Sequence, residues 1–207
     1  MDWTIVLALL ATAFQVGAYS IYNWQVYRGT SKPNAASWGI WVLLAVLNAL
    51  TYLGTSGDKI VTMPFTIGAF ACALTFIHAL KTKKFSPLDI LEKIAFGVGL
   101  SVVVVWWIWG NAAYANMVVL AANVIAFYLI MRELYRNPEK ETSLSWIFWS
   151  IASAVMVINL ILRWNGQLMT VPIPIFFLIV NVMVACLCTE KRKNHVALAK
   201  WEKEGSL

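Results

Sequence analysis

Charge is scarce in this chain of 207 residues: Asp, Glu, Lys and Arg make up 13% of it, about half the share usual in a soluble domain. The shortage excludes a water-exposed surface around most of the molecule. Histidine occurs twice, and the three cysteines (Cys72, Cys186 and Cys188) show no spacing that pairs them with histidine. That leaves neither a metal-ligand set nor a disulfide framework, and the cysteines read as small apolar residues. No cofactor and no metal are expected. Paired carboxylates and a nucleophile with a buried base are also missing, so the chain does not read as an enzyme. The last apolar stretch has no lysine, which excludes a retinal Schiff base.

Apolar residues, by contrast, make up 60% of the sequence, and the mean hydropathy is +0.71. Stretches of about 20 such residues cross a bilayer as helices. Seven are long enough: 4–23, 36–54, 60–80, 88–107, 112–131, 144–162 and 168–188. Asp89, Glu92 and Lys93 lie in the first turns of the fourth and belong at the interface. The fold class expected is therefore an all-α integral membrane protein with seven transmembrane helices. Met1-Asp2-Trp3 carries no positive flank, so the first segment reads as a retained helix rather than a cleaved signal.

The net charge of +6 follows this topology instead of indicating nucleic acid. Of the 16 basic residues, all but Lys59 and Arg163 fall on one side of seven alternating spans. The positive-inside rule then puts the N-terminus outside and the C-terminus in the cytoplasm, and a bacterial inner (plasma) membrane is the expected location. Anionic headgroups are the partner of those basic residues, and self-association is left open.

The chain also repeats. Shifted by 108 residues, Tyr27-Arg28, Ser37-Trp38-x-x-Trp41, Thr62 and Pro64 meet Tyr135-Arg136, Ser145-Trp146-x-x-Trp149, Thr170 and Pro172 without a gap. Four span-plus-loop units fit that offset, so three helices form a unit and the fourth is a spacer. An odd number of intervening crossings makes the two copies parallel. The expected organisation is residues 1–85 as the first triple-helix repeat, 86–110 as linker helix four, 111–188 as the second repeat and 189–207 as a basic cytoplasmic tail. Asn34 and Thr142 are placed to cap the second helix of each repeat, and Ser86-Pro87-Leu88-Asp89 reads as the start of helix four.

Gln25-Val26-Tyr27-Arg28 followed by Ser37-Trp38, and Glu133-Leu134-Tyr135-Arg136 followed by Ser145-Trp146, resemble the loop motif of the SWEET sugar transporters and the wider PQ-loop families. Pro64 and Pro172 resemble that family's third-helix prolines. Trp24 and Arg132 stand where the family has proline before the glutamine, and Phe65 and Ile173 where it has asparagine after the helix proline. The resemblance implies a 3+1+3 fold and solute transport, with sugar as the family's substrate.

Polar groups inside the spans are costly unless they pair or face a cavity. Gln15 and Asn123 are repeat mates, as are Thr51 and Asn159; Asn48 lies one turn from Thr51, and Asn181 is mid-way along the last span. These six are the expected solute contacts, with helix-to-helix hydrogen bonding as the alternative. Of eleven tryptophans, Trp3, Trp106, Trp107, Trp109, Trp164 and Trp24 read as interfacial belts. Trp38, Trp41, Trp146 and Trp149 keep i, i+3 spacing in both copies and read as an aromatic gate. Pro64, Pro172 and Pro174 are the expected hinges. Because no ionisable residue lies in mid-span, an uncoupled facilitator of a small neutral polar metabolite such as a sugar is the leading expectation. A nicotinamide riboside-like vitamin or nucleoside carrier, or a non-transporting receptor or scaffold of the same fold, are the alternatives.

Overall fold

In a computed structural model the chain is described over residues 2–31, 34–81, 87–137 and 141–204, with side chains described as far as 189. Seven helices are long and apolar enough to cross a membrane, and no strand occurs among the described residues. They are α1 (Trp3–Tyr27), α2 (Ala35–Ser56), α3 (Lys59–Lys81), α4 (Ile90–Trp109), α5 (Ala112–Arg136), α6 (Ser143–Leu162) and α7 (Pro172–Glu204). A 3-10 turn over Leu168–Thr170 precedes α7. With 33 residues α7 rises about 50 Å, so the basic segment that was expected as a separate tail continues the last helix.

Local chemistry sets the helix ends. The carboxylate of Asp2 accepts from the Thr4 N–H, Asn34 Oδ1 from the Ala36 N–H, and Asn111 Oδ1 from the Ala113 N–H. Each satisfies a first-turn donor that has no intrahelical partner. Gly57 and Gly110 end α2 and α4 in the left-handed region, at φ of 65° and 59°. Two sequence expectations are corrected. Helix α4 starts at Asp89, not at Ser86, which lies outside the described residues; Asp89 and Glu92 form a reciprocal capping box there. Thr142 occupies the N-cap of α6 but makes no capping hydrogen bond.

Helix α1 packs on α3 and α6, α2 on α3 and α5, and α7 on α5 and α6. Helix α4 lies outside this set, against α5 and α2, and buries only Ala95, Gly99 and Val102. Outward faces carry large apolar residues such as Phe70, Leu74, Trp107 and Ile161, each more than 60% exposed. Against lipid those faces need no polar cover. Trp3, Trp24, Trp109 and Trp164 are exposed near helix ends, as an interfacial belt requires.

Candidate functional site: a central cavity

The inward faces of α1, α2, α3, α5, α6 and α7 enclose a cavity of about 780 Å³. Its lining follows helical periodicity. Gln15, Tyr19 and Tyr22 lie at i, i+4, i+7 on α1; Trp38, Trp41, Ala45 and Asn48 lie at i, i+3, i+7, i+10 on α2. On α6 Trp146, Trp149, Ser153 and Met156 repeat the α2 spacing 108 residues later. Each set therefore forms one stripe facing the same space.

Three levels follow one another in depth. At the mouth are Asn34, Ser37, Asp89, Glu92, Arg132, Glu133 and Glu141, all at the end of the bundle where α1 finishes and α2 begins. Next comes an aromatic level. Tyr19 and Tyr22 of α1 each touch both Trp38 of α2 and Trp149 of α6, with ring centroids 6.4 and 5.1 Å apart for Tyr19 and 5.1 and 5.9 Å for Tyr22. Trp41 packs on Phe127 at 5.0 Å, and Trp146 packs on Trp149 at 4.9 Å. All four tryptophans expected at a gate thus line the cavity. Deeper, about 15 Å along α2 from Trp38 to Asn48, is a polar level of Gln15, Asn48, Asn123, Ser153 and Asn181. Asn123 Nδ2 donates to the Val119 carbonyl at 2.9 Å and to Asn48 Oδ1 at 3.4 Å, and Asn181 Nδ2 donates to Ser153 Oγ at 3.1 Å. Gly68 makes room for Gln15, whose Nε2 lies 2.7 Å from where a Cβ would stand.

Thr51 and Asn159 are not in the lining. Thr51 donates to the Leu47 carbonyl and accepts from Asn116 Nδ2 at 3.0 Å, joining α2 to α5. Asn159 is 1% exposed, with its Oδ1 unpaired among the described groups. The prolines also divide. Pro64 is inside α3, where it removes a backbone hydrogen bond. Pro172 and Pro174 fall in the first turn of α7, whose N–H groups have no intrahelical partner, so neither weakens the helix.

Opposite the mouth the bundle is shut. Tyr52, Val61, Phe65, Met156, Leu160 and Ile173 pack into one apolar cluster. Beyond them Arg163 Nε donates to Asp58 Oδ2 at 2.6 Å, while its Nη1 reaches Thr4 Oγ1 at 2.7 Å and Asp2 Oδ2 at 3.4 Å. Asn165 Nδ2 donates to the Ser56 carbonyl at 3.1 Å. The α6–α7 connection is thereby tied to the start of α1 and to the α2–α3 turn. Partial burial acts to raise the Asp58 pKa, but Arg163 and the N–H groups of Ile60 and Val61 outweigh it and hold the carboxyl below its usual range.

The span pattern put Asp89 and Glu92 at the interface but gave no sign that Arg132, Glu133 and Glu141 join them at one cavity mouth. Glu141 precedes α6 and accepts from the Tyr22 hydroxyl at 2.9 Å. The Ser31 hydroxyl is shared between Glu141 Oε2 (3.3 Å) and Gln25 Oε1 (3.4 Å), and Ser145 donates to the same Gln25 oxygen at 3.3 Å. Burial pushes the Glu141 carboxyl up to about 7, against the opposing effect of Tyr22, Ser31 and the nearby Trp146 indole. Arg132 bonds Asp89 at 2.7 Å, and the Leu91 N–H together with Arg132 holds the Asp89 carboxyl below its usual range. Ser37 donates to Glu92. His78 meets Asn23 at 2.8 Å outside the cavity lining. No group of three or more His, Cys, Asp or Glu suited to a metal occurs among the described residues.

Comparisons with protein-family models, with curated proteins and with solved structures find no match to this chain.

Proposed function

We propose that the protein is a facilitative carrier for a small polar metabolite, working by alternating access. One observation carries the reading: a roomy cavity with a polar floor that opens at one end of the bundle and is sealed at the other by the Arg163 network and the apolar cluster beneath it. A pore needs neither seal nor floor, and a structural bundle would fill that space with side chains.

The helix pairings support two parallel triplets flanking a linker. Contacts α1–α3 and α2–α3 have counterparts in α5–α7 and α6–α7, and α1–α6 and α2–α5 join the two groups. Rocking one triplet against the other would break the Arg163 network and close the aromatic level. With the basic end in the cytoplasm, the state described here faces inward. The SWEET-like family assignment belongs to the same proposal and rests on the loop motifs and this pairing.

The test is thermal unfolding of the purified protein in detergent against sugars, nucleosides, vitamins and amines, followed by uptake into proteoliposomes. A solute at 100 times its dissociation constant should stabilise by about 2.7 kcal/mol. Asn48→Ala and Asn123→Ala should each abolish that shift and the uptake. Folded protein that takes up none of these solutes refutes the carrier reading; full uptake by both variants refutes the polar floor as the binding level.

A further inference from the structure

The chain is basic overall, with a formal charge of +6, yet among the described residues its cavity is lined by four carboxyl groups (Asp89, Glu92, Glu133 and Glu141) and one guanidinium, Arg132. That guanidinium is bonded to Asp89. Glu141 has hydroxyl donors from Tyr22 and Ser31 but no basic side chain beside it among the described residues. A carboxyl group partly withdrawn from water is held in its ionised form by a cation brought beside it.

What lies next to Glu141 indicates the kind of ligand this part of the cavity suits. The Tyr22 ring whose hydroxyl it accepts belongs to a closed circuit of four rings, Tyr19, Trp38, Tyr22 and Trp149, each touching the next at 5.1 to 6.4 Å between centroids. All four line the cavity. Indole and phenol rings attract a cation through their quadrupole, and more strongly where water is displaced. Trp146, only 7% exposed and also in the lining, brings its indole N–H near the same Glu141 carboxyl.

We propose that the cavity takes a small organic cation, an ammonium or guanidinium group on a hydroxyl- or carbonyl-bearing body, with the charged group seated between Glu141 and the four-ring circuit. Asn48, Asn123 and Asn181, also in the lining, then face its far end. The inference names the substrate class of the carrier reading and rests on it, and it replaces the neutral solute that the uncharged spans favour with a charged one.

Intrinsic tryptophan fluorescence of the full-length protein in detergent at pH 8 tests it. The probes are choline, tetramethylammonium and agmatine, with 3,3-dimethyl-1-butanol as the uncharged isostere of choline and KCl at matched ionic strength. At least one organic cation should give a saturable change, the alcohol none at tenfold higher concentration, and Glu141→Gln at least tenfold weaker binding. Trp38→Leu should weaken binding similarly, which keeps the test decisive should Glu141→Gln fail to fold. An equal response to the alcohol, saturation by KCl alone, silence from all three cations, or full binding by folded Glu141→Gln or Trp38→Leu each overturns the proposal. Proteoliposome uptake separates it from the carrier reading. A bound cation that is never taken up sinks the carrier and leaves the site, whereas uptake of an uncharged solute untouched by Glu141→Gln sinks the cation and leaves the carrier.

Discussion

Arg163→Ala tests whether the sealed end is a gate. Arg163 ties three pieces of chain: Asp58 at 2.6 Å, Thr4 at 2.7 Å and Asp2 at 3.4 Å. The Asp2 contact is long and half-exposed, so it contributes little. The Asp58 contact is short, and both side chains are about three-quarters buried, at 25% and 22% exposure. A charge-assisted hydrogen bond of that kind contributes about 1.5–3 kcal/mol. Asp58 keeps its bonds from the Ile60 and Val61 N–H groups after the truncation, which places the loss at the lower end, about 1.5 kcal/mol. If the network forms only when this end is shut, the open population rises by that free energy, about tenfold. Asn159, one turn before Arg163 and 1% exposed, is the reporter. In a background carrying Cys72→Ala, Cys186→Ser and Cys188→Ala, the rate of maleimide labelling of an Asn159→Cys thiol should increase about tenfold on adding Arg163→Ala. Exchanging the charges with Arg163→Asp and Asp58→Arg together should bring the rate back. An unchanged rate in a folded Arg163→Ala protein would refute the gate and leave the network as a static clamp.

Two further outcomes follow from close packing and from the buried carboxyl group. A Cβ on Gly54 would sit 2.7 Å from Ala112 Cβ, an atom fixed to the backbone of α5 that cannot swing away. Gly54→Ala should therefore destabilise by about 1–3 kcal/mol, while Gly97→Ala, with nothing within 4 Å, should not; thermal unfolding in detergent compares them. Glu141 rises from 4.5 to about 7, so between those pH values the folded protein keeps a proton that the unfolded chain has lost. Stability contributed by this group is then present below about pH 4.5 and lost as pH rises to 7, by up to about 3 kcal/mol. Glu141→Gln should flatten the slope of unfolding temperature over that window, and in the wild type binding of an organic cation should weaken as pH falls below about 7. A wild-type slope unchanged by the substitution would place the titration on the other carboxyl groups of the mouth, Asp89, Glu92 and Glu133.

The helices were legible because lipid demands long apolar runs with every backbone group bonded internally. The expected spans fall inside the observed helices except at two starts: the fourth, where Asp89 caps in place of Ser86, and the seventh, where a 3-10 turn over Leu168–Thr170 precedes Pro172. The repeated tryptophan spacing marked residues that do line the cavity. The sequence was less informative about which face of each helix turns inward. In a membrane, both the lipid face and the packed face are apolar, so hydropathy does not separate them. Asn48 and Thr51, three residues apart on α2, appeared equivalent; only the packing of α5 sends Thr51 to Asn116 and Asn48 to the cavity. Pro64 and Pro172 matched in sequence, yet one is inside a helix and the other begins one.

Composition and spacing alone determined that this is a helical chain with a repeated sequence and seven helices long and apolar enough to cross a membrane, because burial in lipid constrains residue type along a whole span. Tertiary structure alone decided which of the charged groups at that end meet around one cavity. Glu141, Asp89, Glu92 and Arg132 sit at helix ends and before α6, where sequence periodicity says nothing. Only the path of the chain brings Glu141 against Tyr22 of α1, a contact between residues 119 positions apart.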